Sequence, residues 1–223
     1  DMAVEHAAYV NDPSYGSSWV LPKIQAPMAW DTANGTGIII AILDTGVDSA
    51  HLDLAPNLVP GWNVYDNNAD TSDVQGHGTA VAGVAAMAAN NGSGSAGVAW
   101  GARIMPVRIA GPDGYAYWST VAQGIYWAAD HGAKVVNVSY NGVSASATVQ
   151  SAAQYLRSKG GVVVVAAGNS GGQELIDPSD ALLTVAATDS GDARASFSSY
   201  GGYVDLAAPG VGIYTAVNGG GYG

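Results

Sequence analysis

The chain has 223 residues, and its eighteen acidic and seven basic side chains give a formal net charge of −11 at pH 7. An acidic chain without a basic stretch is poorly suited to nucleic acids or anionic membrane surfaces, so we expect neither as a partner. The longest apolar runs, at 38–43 and 162–167, are much shorter than the roughly 20 residues that a membrane-spanning helix needs. The absence of cysteine excludes disulfides, thiolate metal sites and a cysteine nucleophile.

Short runs rich in β-branched residues alternate along the chain with alanine-rich stretches. The β-branched runs predict buried strands at 37–43, 103–109, 134–139, 161–167 and 182–187. The alanine-rich stretches predict helices at 27–33, 77–89, 118–131 and 146–159. Strands that alternate with helices form βαβ units, so we expect an α/β domain with a mostly parallel sheet and helices on both faces. In such sheets, functional groups gather where the strands end.

Three polar residues stand at the ends of predicted elements. Asp44 follows the first strand, His77 opens the second helix and Asn169 follows the strand at 161–167. Each residue alone is compatible with an ordinary role, as a turn or capping aspartate, a structural histidine or a turn asparagine. Together, on one edge of a sheet, they provide an orienting acid, a general base and an oxyanion donor. These are the groups that acyl transfer to a nucleophile requires.

The motifs around these residues resemble signatures of a known family. The D-T-G run at 44–46, the H-G-T run at 77–79 and the A-G-N run at 167–169 are similar to the leading motifs of subtilisin-like serine proteases, the subtilase family, and most of all to its thermitase-like branch. The resemblance runs from about residue 11 to residue 223. It implies a three-layer α/β fold and a serine endopeptidase in which Asp44 orients His77, His77 is the general base and then the acid, and Asn169 holds the oxyanion.

The serine motif of that family, a glycine-threonine-serine-methionine-alanine run, does not occur in the chain. The segment 207–214 resembles the stretch that leads into it, so the resemblance places the nucleophile shortly beyond Gly223. We therefore expect this chain alone to be inactive. Three explanations stay open: a nicked enzyme completed by a C-terminal fragment, a truncated chain, or a catalytically dead homologue that binds peptides or partners. Because Asp44, His77 and Asn169 are all present, we favour a piece of a working protease.

The first residues carry a weaker resemblance. Residues 3–7 are similar to the end of the family's inhibitory propeptide, and the mature start falls near Asn11. We therefore divide the chain into residues 1–10, a propeptide remnant or tail, and residues 11–223, an incomplete subtilase catalytic domain. The first ten residues lack the pattern of a signal peptide. The resemblance nevertheless implies a secreted protein whose leader is outside this numbering.

The resemblance also implies a groove in which an extended peptide or protein substrate adds as an antiparallel strand. The matching residues are Gly114, Tyr115, Ala116, Ser139, Tyr140, Asn141, Ala166, Ala167 and Gly168. The family usually has leucine and glycine in place of Tyr140 and Asn141, so we expect a narrowed primary pocket or a filled neighbouring one. The Asp177–Pro178 bond matches a position where the family commonly has a cis proline beside this pocket.

Calcium is the one cofactor that we expect. Asp12, Asp53 and Asn91 resemble ligands of the family's strong calcium site, and hard oxygen ligands are what this ion prefers. A second set of carboxylates, on Asp66, Asp70 and Asp73, stands shortly before His77. It predicts a second cation site, with a solvated acidic loop as the alternative.

Overall fold

The computed structural model describes residues 10–223. The proposed propeptide remnant, residues 1–10, therefore lies outside the described residues except for Val10. This valine is buried in a small apolar cluster with Leu21 and Trp30. Within residues 10–223, no helix combines the length and the apolar character that crossing a membrane requires.

A seven-stranded sheet forms the centre of the domain. Its strands are β1 (Ile39–Asp44), β2 (Trp62–Asn63), β3 (Arg103–Arg108), β4 (Val135–Val138), β5 (Val162–Ala166), β6 (Leu182–Thr188) and β7 (Leu206–Pro209). They lie in the order β2-β3-β1-β4-β5-β6-β7, and every neighbouring pair is parallel. Two further strands, β8 (Ala216–Val217) and β9 (Gly221–Tyr222), form a separate antiparallel pair. The mostly parallel sheet is thus confirmed.

The helices are α1 (Val20–Lys23), α2 (Ala26–Trp30), α3 (His77–Ala86), α4 (Trp118–Asp130) and α5 (Ala147–Ser158). All five predicted strands and all four predicted helices are present. The elements that the sequence did not reveal are α1, β2, β7, β8 and β9, because runs of two to four residues are too short to show a periodic pattern. Helix α3 ends at Ala86 and not at 89, because the chain turns away and Ala88 N–H donates to the Asp53 carbonyl at 2.8 Å.

The alternation of side chains along β1 decides which face carries Asp44. Ala41 and Leu43 pack in the core that contains α4 and α5. Ile40 and Ile42 pack in the core that contains α3. Successive side chains of a strand point to opposite faces, so Asp44 lies on the α3 face. The helices therefore cover both faces of the sheet, as predicted, and the last residue of β1 faces the helix that begins with His77.

Candidate active site

Asp44 and His77 form a hydrogen-bonded pair at the carboxyl end of β1. Asp44 is fully buried, and its Oδ1 accepts the backbone N–H of Thr45 at 2.8 Å. Nδ1 of His77 lies 2.8 Å from Oδ1 and 3.0 Å from Oδ2 of Asp44. A carboxylate can only accept here, so in the neutral ring Nδ1 carries the proton and Nε2 keeps its lone pair. Nε2 has no hydrogen-bond partner among residues 10–223, and the His77 side chain is 48% exposed.

The carboxylate also tunes this histidine. The hydrogen bond to Asp44 raises the pKa of His77 above its ordinary value, burial opposes the shift, and the negative charges of Asp44 and Asp73 add to it. A base whose pKa is near the working pH is efficient, because it is unprotonated in a useful fraction of molecules and still accepts a proton readily. The pair is thus suited to general-base catalysis.

Asp73 holds the loop that leads into α3. Its Oδ1 accepts hydrogen bonds from Thr45 Oγ1 at 2.7 Å, from the N–H of Gln75 at 3.0 Å and from the N–H of Gly76 at 2.7 Å. Its Oδ2 accepts the N–H of Thr79 at 2.9 Å and the Thr79 hydroxyl. Burial alone would raise the pKa of Asp73, but these hydrogen bonds outweigh it and lower the pKa below its usual value. Asp73 therefore ties the start of α3 to the turn after β1.

The first turn of α3 packs directly on the turn after β1. A Cβ at Gly78 would lie 2.1 Å from the carbonyl oxygen of Gly46 and 3.0 Å from Cβ of Asp44. Gly46 has φ of +114°, in the region that favours glycine. Only a residue without a side chain allows His77 to come this close to Asp44. The close contact between the two turns therefore explains why the D-T-G and H-G-T motifs contain glycine.

Asn169 lies in the turn after β5, on the same edge of the sheet. Gly168 before it has φ of +118°, and its carbonyl accepts the N–H of Ser199 at 2.9 Å. Asn169 is exposed, and its side-chain amide makes no hydrogen bond to another residue of 10–223. The amide is therefore available to a ligand.

His77 and Asn169 line one open cavity of about 520 Å³ on the α3 face of the sheet. Most of its lining residues are apolar, and they come from α3, β5, β6 and the segment 208–213, for example Ala80, Val164, Val185 and Pro209. An apolar cavity on which a few polar groups converge is the usual form of a binding or catalytic site. The structure thus brings together the base and the amide donor that the sequence placed on separate elements.

The side chain of Tyr140 joins the two segments that we expect to flank the groove, 114–116 and 139–141. Ala116 pairs with Ala110 in a short hairpin, and the neighbouring Tyr115 is exposed. The Tyr140 hydroxyl donates to the Gly114 carbonyl at 3.2 Å. Burial raises the pKa of Tyr140, and the charges of nearby aspartates raise it further, so the phenol remains a donor.

A second cavity, of about 200 Å³, lies between these two segments. It is lined by Thr45, Gln75, His77, Gly114, Ser139 and Tyr140. Gln75 is a residue that the sequence did not reveal: its Oε1 accepts the N–H of His77 at 3.0 Å. Its position two residues before His77 was the only available signal.

The remaining predicted groove residues differ in exposure. Ala166 lines the larger cavity, whereas Ala167 and Gly168 are buried behind it. The Ala167 carbonyl accepts the Tyr203 hydroxyl at 2.7 Å, and Asn141 is exposed. Every peptide bond within residues 10–223 is trans. The bond before Pro178 is therefore trans, and the expectation of a cis bond there was wrong.

Asp12 and Asp53 are buried carboxylates at the loop 90–94. Asp12 accepts the backbone N–H groups of Asn90, Asn91 and Gly92 at 2.8–3.0 Å. Asp53 accepts the side-chain amide of Asn91 at 2.8 Å. Neither carboxylate forms an ion pair with a basic residue of 10–223. Two buried negative charges whose partners are all neutral donors fit a hard cation such as calcium, and Asp12, Asp53 and Asn91 would hold it.

The second predicted cation site is different, because its three carboxylates do not meet. Asp66 pairs with Arg108 at 3.3 Å, and Asp70 accepts the hydroxyl of Ser72 at 2.6 Å. Asp73 is occupied by the start of α3, as described above. Among residues 10–223 there is no group of three or more His, Cys, Asp or Glu residues that could hold a metal ion. The prediction of one site formed by Asp66, Asp70 and Asp73 was wrong, because each carboxylate serves its own local bonds.

Comparisons with known proteins agree with this geometry. The sequence model of the subtilase family matches residues 35–222. Thermitase of Thermoactinomyces vulgaris is 47% identical over 208 residues, which cover 92% of this chain and 75% of thermitase. The thermophilic serine proteinase of Bacillus sp. strain AK1 is 42% identical over 197 residues, which cover 87% of this chain and 49% of that protein. A solved protease structure from Pseudoalteromonas arctica matches with a TM-score of 0.82 at 34% identity, over 91% of this chain and 73% of that one.

The fold and the site thus define a subtilisin-like protein, and the chain belongs to the subtilase family. The Bacillus relative is by name a serine proteinase and the solved structure is that of a protease, so the family includes peptide-bond hydrolases. The similarity to thermitase agrees with the relation to the thermitase-like branch that the motifs predicted. The chain spans three quarters of the length of thermitase and about half of the length of the Bacillus proteinase.

Proposed function

We propose that the chain forms most of the catalytic domain of a serine endopeptidase that works through an Asp-His-Ser triad. The observation that carries this proposal is the hydrogen-bonded pair of Asp44 and His77, together with the position of His77 and Asn169 on one cavity. The arrangement supplies a base and an oxyanion donor on one surface.

The nucleophile in this proposal is a serine outside residues 1–223, as the resemblance implies. Ser139 lines the cavity, but its hydroxyl accepts the side-chain amide of Asn137 at 2.9 Å and makes no bond to His77. A serine supplied from outside would give its proton to Nε2 as its oxygen attacks the peptide carbonyl carbon. The side chain of Asn169 would donate to the resulting oxyanion. His77 would then pass the proton to the leaving amine, and water would release the acyl group by the same route in reverse.

The substrate would be an extended peptide that adds to the backbone of 114–116 and 139–141. Tyr140 and Asn141 lie outside the strands, and their backbone groups make no hydrogen bond to another backbone group of residues 10–223. An unpaired edge of this kind accepts an added strand. The Tyr140 phenol, which crosses to Gly114, would narrow the groove beside His77 and favour short side chains there.

Three further expectations belong to the same proposal. Calcium at Asp12, Asp53 and Asn91 would neutralise two buried carboxylates and hold the loop 90–94 in place. An inhibitory propeptide would precede the mature domain. The enzyme would be secreted, as the resemblance implies.

Labelling of the full-length protein with a fluorophosphonate, read by intact mass, tests the function. We expect one probe mass per chain, on a serine beyond Gly223, and a strong loss of labelling in His77→Ala. The matched control is His131→Ala, since His131 lies in an exposed position after α4. Peptide binding without labelling of the folded protein would instead indicate the catalytically dead homologue.

A further inference from the structure

Glu174 stands beside the turn that carries Asn169, and neither the motifs nor the triad assigns it a role. Its Oε1 accepts the hydroxyl of Ser199 at 2.6 Å and the hydroxyl of Ser170 at 2.9 Å. Hydrogen bonds to a carboxylate are short and stronger than those between neutral groups. A Cβ at Gly168 would lie 3.3 Å from this carboxylate oxygen, so the carboxylate is packed against the turn itself.

Ser199 contacts the turn on both sides of Asn169. Its backbone N–H donates to the Gly168 carbonyl at 2.9 Å. Its hydroxyl oxygen accepts the backbone N–H of Ser170 at 3.1 Å. Ser199 is fully buried, so its hydroxyl has no exchange with bulk water to satisfy it. The residue before Asn169 and the residue after it are therefore both bound to one serine.

The role of Glu174 follows from the single proton of the Ser199 hydroxyl. The oxygen of Ser199 accepts the Ser170 N–H only if its own proton points elsewhere. The Ser199 hydroxyl donates this proton in its hydrogen bond to Glu174 Oε1. The hydroxyl of Ser170 likewise donates to Glu174, which leaves its oxygen free to accept the N–H of Gly172 at 3.2 Å. The two hydroxyl oxygens also lie 2.9 Å apart, and either could donate to the other. The carboxylate can only accept, so it favours the arrangement in which both hydroxyls donate to it.

We propose that Glu174 is a positioning residue for the oxyanion site: its carboxylate orients the hydroxyls of Ser199 and Ser170, and these fix the turn from which Asn169 presents its amide. The inference rests on the proposed function of Asn169. The loop that carries Glu174 is itself anchored, because Glu174 N–H donates to the Tyr200 carbonyl at 2.8 Å. A displacement of about 1 Å at a catalytic group is enough to cost on the order of 100-fold in rate, so a partial loss of this support has a measurable effect.

The test compares kcat and KM of the full-length protein on a peptide substrate in a double-mutant cycle. We expect Glu174→Ala to lower kcat about 10-fold with little change in KM, because the oxyanion forms only in the transition state. Glu174→Gln keeps an acceptor oxygen and is expected to retain kcat within about threefold. In the Asn169→Ala background, Glu174→Ala is expected to cost less than twofold, since residues that act through one group are not additive.

Asp180→Ala is the matched control. It removes an exposed carboxylate from the same loop whose side chain bonds to no residue of 10–223, and we expect kcat unchanged. The inference would be overturned if Glu174→Ala lowered kcat by the same factor with Asn169 present and with Asn169 replaced by alanine. It would also be overturned if Glu174→Ala alone left kcat unchanged. Hydrogen exchange of the Ser170 amide tests its hydrogen bond to the Ser199 hydroxyl independently of activity. We expect faster exchange in Glu174→Ala. If the wild type neither labels nor hydrolyses peptides, the proposed function fails, while unchanged exchange at Ser170 would refute the role of Glu174 separately.

Discussion

The loop before α3 and the loop at 90–94 were both predicted to belong to cation sites, and they differ in structure. The first contains three carboxylates of its own, whereas the second receives Asp12 and Asp53 from other parts of the chain. In the first loop Asp73 accepts hydrogen bonds that fasten α3 to β1, and Asp66 has a basic partner. In the second, Asp12 and Asp53 are buried and have only neutral partners among residues 10–223.

The difference teaches that the number of acids in a loop does not decide whether the loop holds a cation. A carboxylate that accepts several N–H and O–H donors, as Asp73 and Asp12 both do, already serves as a structural bond. Asp12 and Asp53 differ from Asp73 in that both are buried beside one loop and have no basic partner among residues 10–223, and on this ground we propose the ion there and not before α3. We call Asp44 and Asp73 the edge acids, and Asp12 and Asp53 the loop acids. The predictions below separate the two pairs.

The largest difference between the two pairs is expected in catalysis. Asp44→Asn keeps the shape of the side chain but no longer holds the Nδ1 proton of His77 with a charged acceptor. We expect kcat of the full-length protein to fall by roughly 10⁴-fold, as in other triads that lose this carboxylate. Asp53→Asn, the matched change in a loop acid, is expected to leave kcat per folded molecule nearly unchanged. Steady-state kinetics with active-site titration checks both, and equal losses in the two variants would remove the distinction.

In stability, the loop acids are expected to matter through calcium, whereas in catalysis the edge acids matter more. A chelator should lower the stability of the wild type by about 3 kcal/mol if the ion is normally present at about 100 times its Kd. For a domain of this size, that loss corresponds to a fall in Tm of about 5–10 °C. In the presence of calcium, Asp53→Asn should already have a lower Tm than the wild type, and the chelator should lower it little further. Differential scanning calorimetry with and without calcium measures this, and a Tm of the wild type that ignores the chelator would contradict the calcium proposal.

Asp73→Asn is expected to destabilise the fold without changing its response to calcium. The substitution removes a charged acceptor of several hydrogen bonds and turns an amide N–H toward their donors, which costs about 1–3 kcal/mol. Because the pKa of Asp73 is lowered in the folded state, its contribution is present above the ordinary carboxyl pKa and is lost as the pH falls through the lowered value. Urea unfolding at pH 7 and in acid checks both statements. Asp70→Asn, on the exposed part of the same loop, is the control and should be nearly neutral.

The smallest expected effect is the pH dependence that the edge acids impose on His77. Because its pKa is raised, kcat/KM should rise with pH through a midpoint above the ordinary histidine value, where His77 becomes neutral. The stability gained from protonated His77 should be complete below that ordinary value and disappear as the pH rises through the raised pKa. NMR titration of His77 gives the midpoint directly. Asp44→Asn should move it downward, and an unshifted midpoint would mean that the pair does not tune the base.

The sequence predicted most of the fold because long periodic segments carry their own signal. The strands near 39–44 and 162–166 are runs of β-branched residues, and α4 and α5 are long enough to show an apolar face. The short strands had no such signal. The predicted cation site before His77 was wrong for a related reason, since the donors to Asp73 include Thr45, which is distant in the chain. A local pattern of acids contains no information about such partners.

The sequence by itself determined the succession of strands and helices along the chain and the three motifs at their ends, because both depend on residues that are neighbours in the chain. The glycines of those motifs even anticipate the close packing at Asp44 and His77. Only the tertiary structure decided which polar groups meet. His77 and Asn169 come to one cavity because parallel strands end on one edge of the sheet, and Glu174 reaches Ser199 and Ser170 because two separate loops fold together there. Such contacts depend on the path of the whole chain, and no local run of residues encodes them.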